Sequence, residues 1–394
     1  MGSAKIRPDD FLSLDRMLSD EERDIRDTVR AFVRDRVLPE IGEWFERASL
    51  PSRELARELG RLGLLGMHLR GYGCAGASAT AYGLACMELE AGDSGLRSLV
   101  SVQGSLAMFA IHRWGSEEQK RHWLPLLAAG EAIGCFGLSE PDAGSDPGSM
   151  RTRARRDGSD WILNGQKMWI TNGSVADVAV VWARSDEERP ALRGFLVERG
   201  TKGFTTQDVH RKLSLRASVT SELLLDDVRV PAEALLPEAQ SLRAPLSCLD
   251  EARYGIVWGA AGAARACLEA ALSYSLERVQ FGRPIASFQL QQQKLAAMAL
   301  EVNRAAVLAL HLGRLKDRGE LHPAQVSMGK LGNVNAALEV ARTARQVLGA
   351  NGITLEYPVI RHMNNLESVL TYEGTADVHA LVVGGELTGI NAFR

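Results

Sequence analysis

The chain has 394 residues, 45% of them hydrophobic and 24% charged, and its 46 Lys and Arg against 49 Asp and Glu leave a formal net charge of −3. That balance excludes an intrinsically disordered chain and argues against a general nucleic-acid binder, which needs surplus cations facing phosphates. At ~100–200 residues per domain the length suggests two or three domains, with a core large enough to need no disulfide or metal staple.

Met1 to Leu14 contains no apolar run of the kind a secretory leader carries. Ser19-Asp20-Glu21-Glu22 then has the spacing of a capping box, and Ile25, Val29, Phe32, Val33 and Leu38 fall on one helical face after it. Ala79 to Leu89 reads as a buried helix. Ser116 to Gln119 repeats the capping-box spacing before Trp123, Leu124 and Leu127. From about Cys135 the texture changes. Asn164-Gly165 lies between Trp161-Ile162-Leu163 and Met168-Trp169-Ile170, which predicts a hairpin with a type I′ turn. Val178 to Ala183, Gly194 to Val197 and Leu223 to Val230 are further predicted strands. After Pro231 the helical period returns, with long Ala/Leu-rich stretches over Tyr254 to Arg278, Gln289 to Leu315 and Pro323 to Leu348. Three or four long helices with short connections predict a bundle. No stretch of ~20 residues reads as apolar enough to span a bilayer.

Several tempting motifs lack their context. Gly71-Tyr-Gly73-Cys-Ala-Gly76 matches the dinucleotide string GxGxxG, but helical periodicity precedes it and no βαβ unit surrounds it, so a glycine-rich turn is expected. No His has Glu three positions before it, as a di-iron bundle would need. His112, His122 and His362 each adjoin an Arg, the pattern of a solvated face. The five cysteines (Cys74, Cys86, Cys135, Cys248, Cys267) are odd in number and include no CxxC pair, so no disulfide framework or zinc site is expected and a reducing compartment fits. A cytoplasmic protein without membrane insertion is the resulting expectation.

Three other segments carry chemistry. Cys135 to Pro147 runs from apolar residues into a turn crowded with Gly, Ser, Asp and Pro, which could free N–H groups and hydroxyls for a polar ligand or simply enter the β region. Trp169-Ile170-Thr171-Asn172 sets an aromatic plane beside a hydroxyl, suited to a flat heteroaromatic ring, although a buried strand Trp is the ordinary alternative. Thr371-Tyr372-Glu373-Gly374-Thr375 puts a carboxylate between an aromatic ring and a glycine. Burial of such a Glu would raise its pKa and make it a better general base, whereas an isolated Glu is usually a surface residue.

Together these stretches, with Ala252-Arg253-Tyr254-Gly255-Ile256, Glu277-Arg278 and Gln280-Phe281-Gly282 in order, closely resemble the acyl-CoA dehydrogenase family, and within it the glutaryl-CoA dehydrogenase branch. The similarity runs from about Asp20 to Phe393. It implies an α+β multidomain chain: an α-helical N-terminal domain (1–132), a central β domain (133–238) and a C-terminal four-helix bundle (239–394). It also implies FAD, an acyl-CoA substrate, electron-transfer flavoprotein as electron acceptor and a homotetramer.

By position in that family, Glu373 is the base that removes the substrate α-proton, and its backbone N–H helps stabilise the thioester oxygen. Phe136, Leu138, Ser139, Gly144, Ser145, Trp169, Ile170 and Thr171 match residues around the flavin ring, Ser145 also touching substrate. Arg278, Phe281, Gln289, Gln346, Val347, Leu348, Gly349, Ala350, Thr375 and Asp377 match the adenine and pyrophosphate site, part of it across a subunit boundary. Leu249, Arg253, Tyr372 and Gly374 match substrate contacts. Some members keep the base just before the Arg matching Arg253; here Ala252 stands there, and Glu251 is turned about 100° away on a helix.

The stretch Glu90 to Ser98 resembles the segment in which an Arg binds the distal carboxylate of a glutaryl chain. Arg97 would make that pair, with Glu90 holding it and Ser98 beside it. Ala350 replaces a usual Gly, Leu96 a usual Tyr and Gly92 a larger residue, the last two being expected to widen the acyl pocket. The reading that follows is dehydrogenation of glutaryl-CoA with decarboxylation to crotonyl-CoA. The alternatives are another short, branched or dicarboxylyl acyl thioester oxidised without decarboxylation, or a silent flavoprotein scaffold.

Overall fold

The computed structural model describes residues 6–8, 10–186 and 191–393; residues 1–5 and 9 of the N-terminal segment read above lie outside them. Helix α1 (Asp20–Phe32) starts at the expected capping box, in which Ser19 Oγ accepts from Glu22 N at 3.2 Å and Glu22 Oε2 accepts from Ser19 N at 2.8 Å. Helix α2 (Ala79–Gly92) is buried almost all round because α1 covers one side and the C-terminal helices the other. Asp93 ends it and caps α3 (Ser94–Ser101), accepting from Gly95 N at 2.6 Å. Helix α4 (Glu117–Ala128) begins at the second capping box, between Ser116 and Gln119.

Seven strands follow: β1 (Gly134–Gly137), β2 (Arg153–Asp157), β3 (Asp160–Thr171), β4 (Val178–Ser185), β5 (Leu192–Glu198), β6 (Phe204–Asp208) and β7 (Thr220–Val230). Their order is β1-β4-β2-β3-β7-β6, with β5 on the other edge of β4. Strands β1 and β4 are parallel, with Phe136 opposite Val180. The Val178 to Ala183 run is wholly buried, as a strand covered on both faces requires.

The hairpin expected at Asn164-Gly165 is not there. Strand β3 runs straight through both residues, and its register against β7 slips between Leu163 and Gly165, a bulge. A side chain at Gly165 would meet Thr152, with Oγ1 2.5 Å from a Cβ. Asn164 exchanges hydrogen bonds with Asp227, donating to Oδ1 and accepting from its N, each at 2.9 Å. The pair was therefore selected by packing against β2 and β7. The hairpin turn lies one strand-length earlier, where Gly158 (φ 66°) and Ser159 join Asp157 to Asp160.

The C-terminal part contains α5 (Arg243–Glu277), α6 (Gln289–Asp317), α7 (Pro323–Leu348), α8 (Val359–Thr371) and α9 (Ala376–Thr388). Gly259 and Gly262 let α5 lie against α2: a Cβ on either would come within 1.9 Å of Glu90 Oε2 or Met87 O. Helix α6 departs from the expectation that nothing is apolar enough to cross a membrane, since its length and composition suffice. Its Glu301 and Arg304 pair with each other at 2.7 Å, and Met298, Val302, Ala305, Ala309, Leu310 and Leu312 are buried in the bundle. His362 also departs from expectation. It is fully buried on α8, and burial followed by the adjacent Arg361 charge drives its pKa well down. The Gly71 to Gly76 string is the turn it was expected to be, with positive φ at Gly71, Gly73 and Gly76.

A buried ion triad ties α1, α2 and α5 together. Glu88 accepts from Arg265 at 2.8 and 2.6 Å and from Arg30 at 3.0 Å. Burial alone would raise the Glu88 carboxyl, but the charges and hydrogen bonds of Arg265 and Arg30 outweigh it and bring it to about 2. A carboxyl depressed on folding adds stability above its unfolded value of 4.5 and loses it as pH falls from there towards 2. About 3 kcal/mol should disappear over that window. Denaturant titrations of wild type and Glu88→Gln check this: the variant should be less stable at pH 7 and should lack this part of the acid dependence.

Candidate active site

The chain turns sharply between α8 and α9, and Glu373 sits on that turn in the left-handed region (φ 53°), followed by Gly374 at φ 99°. A left-handed conformation is costly for a residue with a Cβ, so the surroundings must hold it. Lys330 of α7 donates to Tyr372 O and, at 2.6 Å, to Gly374 O, while Arg253 Nε of α5 donates to Glu373 O at 2.8 Å. Arg253 is itself held by Asp250 at 2.9 Å. The side chain of Glu373 has one carboxylate oxygen, Oε2, that is buried and has no hydrogen-bond partner among the described residues. Burial raises its pKa, against the pull of Arg97, Lys330 and Arg253.

Arg97 is completely buried on α3 and lies next to this turn. Its Nε donates to Glu90 Oε2 at 2.6 Å, one terminal nitrogen to Ser101 Oγ at 3.2 Å and the other to the Tyr372 hydroxyl. Ser94 Oγ donates to the second Glu90 oxygen at 2.8 Å. Ser98 Oγ lies 3.5 Å from the Tyr372 hydroxyl, and the Arg97 guanidinium is 5.6 Å from the Tyr372 ring centre. Guanidinium has five N–H donors, and these bonds use three of them. One N–H on each terminal nitrogen is left for a further acceptor.

Asp93 links the two halves of this constellation. The carboxylate that caps α3 also accepts from Arg361 at 2.6 Å and from Asn365 at 2.8 Å, both on α8 just ahead of Tyr372 and Glu373. Thus Glu90, Arg97, Ser98, Arg253, Tyr372, Glu373 and Gly374 converge. Gly92 does not widen the pocket as expected: a Cβ there would press on Val33 Cγ1 at 2.7 Å, so the glycine serves helix packing. Leu96 is buried in the core. Leu249 is half-buried on the first turns of α5. Glu251 pairs with Lys316 at 2.7 Å on α6, so it is engaged elsewhere.

A second group lies along β1 and the end of β3. Phe136 and Leu138 are buried, and Met168 N donates to Ser139 O at 2.9 Å, which sets Ser139 beside the Trp169 to Thr171 segment. Lys167 reinforces the junction by donating to Leu138 O at 3.1 Å and Glu140 Oε1 at 2.8 Å. Ile170 faces the core, whereas Trp169 takes φ 64° and leaves its ring 60% exposed. Gly144 and Ser145 are exposed on the loop after β1. An aromatic ring turned out into water next to the buried Ile170 is a platform for a flat ligand.

The third group lies at the other end of the bundle. From Arg253 to Arg278 is 25 residues of α5, roughly 37 Å along its axis. Arg278 ends α5, Phe281 tips the following turn with 94% of its surface exposed (φ 51°), and Gln289 opens α6, exposed. Asn351 reaches Tyr274 of α5 at 3.1 Å, which places the 346–350 segment at this same end. There Val347 and Leu348 are buried, while Gln346, Gly349 and Ala350 are exposed. Thr375 caps α9 by accepting from Val378 N at 3.2 Å, and Asp377 is exposed in its first turn. Within one chain Arg278, Phe281, Gln289 and the 346–350 segment lie far from Glu373, whereas Thr375 and Asp377 follow it directly at the start of α9.

Sequence reasoning missed Lys330, Ser101, Ser94 and Asp93. The one usable signal was a lone lysine among Gly and apolar residues in a helix otherwise fit for a core.

A helical, β and helical chain carrying a carboxylate with a buried, unpartnered oxygen and, on its β part, an open aromatic platform fits a class of thioester oxidoreductase. The chain belongs to the acyl-CoA dehydrogenase family: residues 19–131 match its N-terminal domain, 135–228 its middle domain and 242–388 its C-terminal domain. The mitochondrial short-chain specific acyl-CoA dehydrogenase of Homo sapiens is 35% identical over 364 residues, covering 91% of this chain and 88% of that protein. A crystal structure of a glutaryl-CoA dehydrogenase from Mycobacterium smegmatis is 67% identical with a TM-score of 0.97, covering 99% of this chain and 100% of that one. A second, of a glutaryl-CoA dehydrogenase from the same organism in complex with FADH2, is 62% identical with a TM-score of 0.97 and the same coverage.

Proposed function

We propose that this acyl-CoA dehydrogenase acts on glutaryl-CoA, with Glu373 as the base and Arg97 as the receptor for the distal carboxylate. The observation that carries the substrate assignment is the buried Arg97, paired with Glu90 yet left with two further N–H donors beside the Glu373 turn. A neutral acyl chain offers those donors nothing, and leaving them unpaired in a dry site is unfavourable. The 67% and 62% identity to glutaryl-CoA dehydrogenases supports the same reading.

The exposed Trp169 platform and the unpartnered Glu373 oxygen fit FAD and a thioester respectively. Phe136, Leu138, Ser139, Gly144, Ser145, Trp169, Ile170 and Thr171 would hold the flavin end. Arg278, Phe281, Gln289, Thr375, Asp377 and the 346–350 segment would hold the nucleotide end, part of this set coming from a partner subunit in a homotetramer. The bound FAD would supply the acceptor for a hydride equivalent leaving the substrate β-carbon. Glu373 takes the α-proton, and its burial keeps water from competing for it. Arg97 fixes the far end of the chain, so that the α-carbon is held over the carboxylate. Loss of CO2 to give crotonyl-CoA, and passage of electrons to electron-transfer flavoprotein in the cytoplasm, complete the reading.

The test offers purified protein glutaryl-CoA and butyryl-CoA with an artificial electron acceptor. Glutaryl-CoA should bleach the flavin and release crotonyl-CoA and CO2, and butyryl-CoA should do so far less. Equal turnover of the two would remove the carboxylate receptor, and glutaconyl-CoA as the end product would remove the decarboxylation.

A further inference from the structure

A buried cation beneath the Glu373 turn takes part in none of the steps above. Lys330 is 1% exposed in the middle of α7, with its ammonium directly under the turn that carries Glu373. A lysine is seldom taken so far out of water without a specific partner. Its two contacts are the carbonyls of Tyr372 and Gly374, and Arg253 takes the carbonyl of Glu373 between them. Three successive carbonyls are thus gripped by two cations, across the two residues of the turn that have positive φ. The ammonium also lies 5.8 Å from the Tyr372 ring centre, whose hydroxyl is bound to Arg97.

We propose that Lys330 is a positioning residue for the reaction: with Arg253 it locks the 372–374 turn in the strained form that presents Glu373, and its charge helps keep the carboxylate ionised. The proposal rests on the reading of Glu373 as the base. An ordinary helix cap would be a simpler role, because Lys330 also lies near the C-terminus of α8, where any cation is favourable. A cap would affect stability alone. A charge facing the base would affect its ionisation as well.

Every charged group around the pair bears on this. Arg97 on α3 and Arg253 on α5 share the sign of Lys330, and Glu90 on α2 opposes Glu373. Asp250 is paired with Arg253. His379 on α9 lies against Gly374, and burial, then Lys330 and Arg253, lower its pKa to about 3, so it is neutral near pH 7. Burial draws the Lys330 ammonium below the ordinary lysine range, while Glu373 pulls it back up. The rate requires ionised Glu373 and therefore rises with pH through its pKa. Removing a facing cation raises that pKa, so the acid limb of the rate profile moves to higher pH.

The experiment follows flavin reduction by glutaryl-CoA across pH 5 to 9 in Lys330→Met, Lys330→Gln, Lys330→Arg and Glu373→Gln holoenzymes. Flavin absorbance and Tm report folding. The neutral variants should lose at least tenfold in the plateau rate and shift the acid limb upward by about one pH unit, whereas Lys330→Arg should restore the limb. Lys330→Gln retains a donor and serves if Lys330→Met does not fold. Neutral variants with a wild-type acid limb would overturn the proposal, leaving a structural cap. If Glu373→Gln keeps its rate, the base assignment itself fails, an outcome distinct from a silent Lys330.

Discussion

Glu373→Gln should retain FAD, fold normally and lose roughly 10²–10⁴-fold in the rate of flavin reduction by acyl-CoA. Glutamine has nearly the same size, and the turn is held through backbone carbonyls that the substitution leaves in place. What it removes is the lone pair that takes the proton. The wild-type profile supplies a second check. Because burial raises the Glu373 carboxyl despite three nearby cations, its acid limb should lie above the usual carboxylate range, with activity lost as pH falls through it. Stopped-flow bleaching measures both. A variant within tenfold of wild type would show that another group takes the proton.

Arg97→Met should cost glutaryl-CoA turnover about 3 kcal/mol or more in kcat/KM, roughly a hundredfold or more, and leave a neutral acyl chain nearly untouched. The substitution also strands Glu90, which is fully buried and would keep only Ser94 as its partner. Breaking a buried pair on one side costs about 3–5 kcal/mol of stability, so low yield of the single variant would be ambiguous. The double variant Arg97→Met/Glu90→Gln removes both charges and should fold better. Steady-state rates with glutaryl-CoA and butyryl-CoA in the double variant decide the matter: equal losses for the two substrates would mean that Arg97 shapes the pocket without reading the carboxylate.

The elements whose signals are local were legible in the sequence. Both capping boxes lie where their spacing placed them, and helix α7 has the expected limits. Asn164-Gly165 misled because its local pattern is that of a turn, while the deciding contact is with Thr152, just ahead of the neighbouring strand β2. His362 misled for the same reason, since an adjacent Arg says nothing about which helix covers the face. The site was less legible still. Glu373 alone was one carboxylate among many, and only the order of several motifs gave it a role. Lys330 stood out only as a lysine in a core-like helix, because helical periodicity reports a face and not the carbonyls beneath it. Arg278 and Phe281 could be matched to the nucleotide site, but nothing in their spacing showed how far along α5 they lie from the base.

The Asp93 carboxylate starts the helix that bears Arg97 and grips the helix that ends just before Glu373. Tail recognition and proton abstraction are therefore mounted on one rigid bracket. A lineage that drifts towards a new acyl chain by shifting α3 must drag the catalytic turn with it. Changes of specificity on this scaffold should consequently come from swapping side chains within the pocket, and seldom from moving its walls.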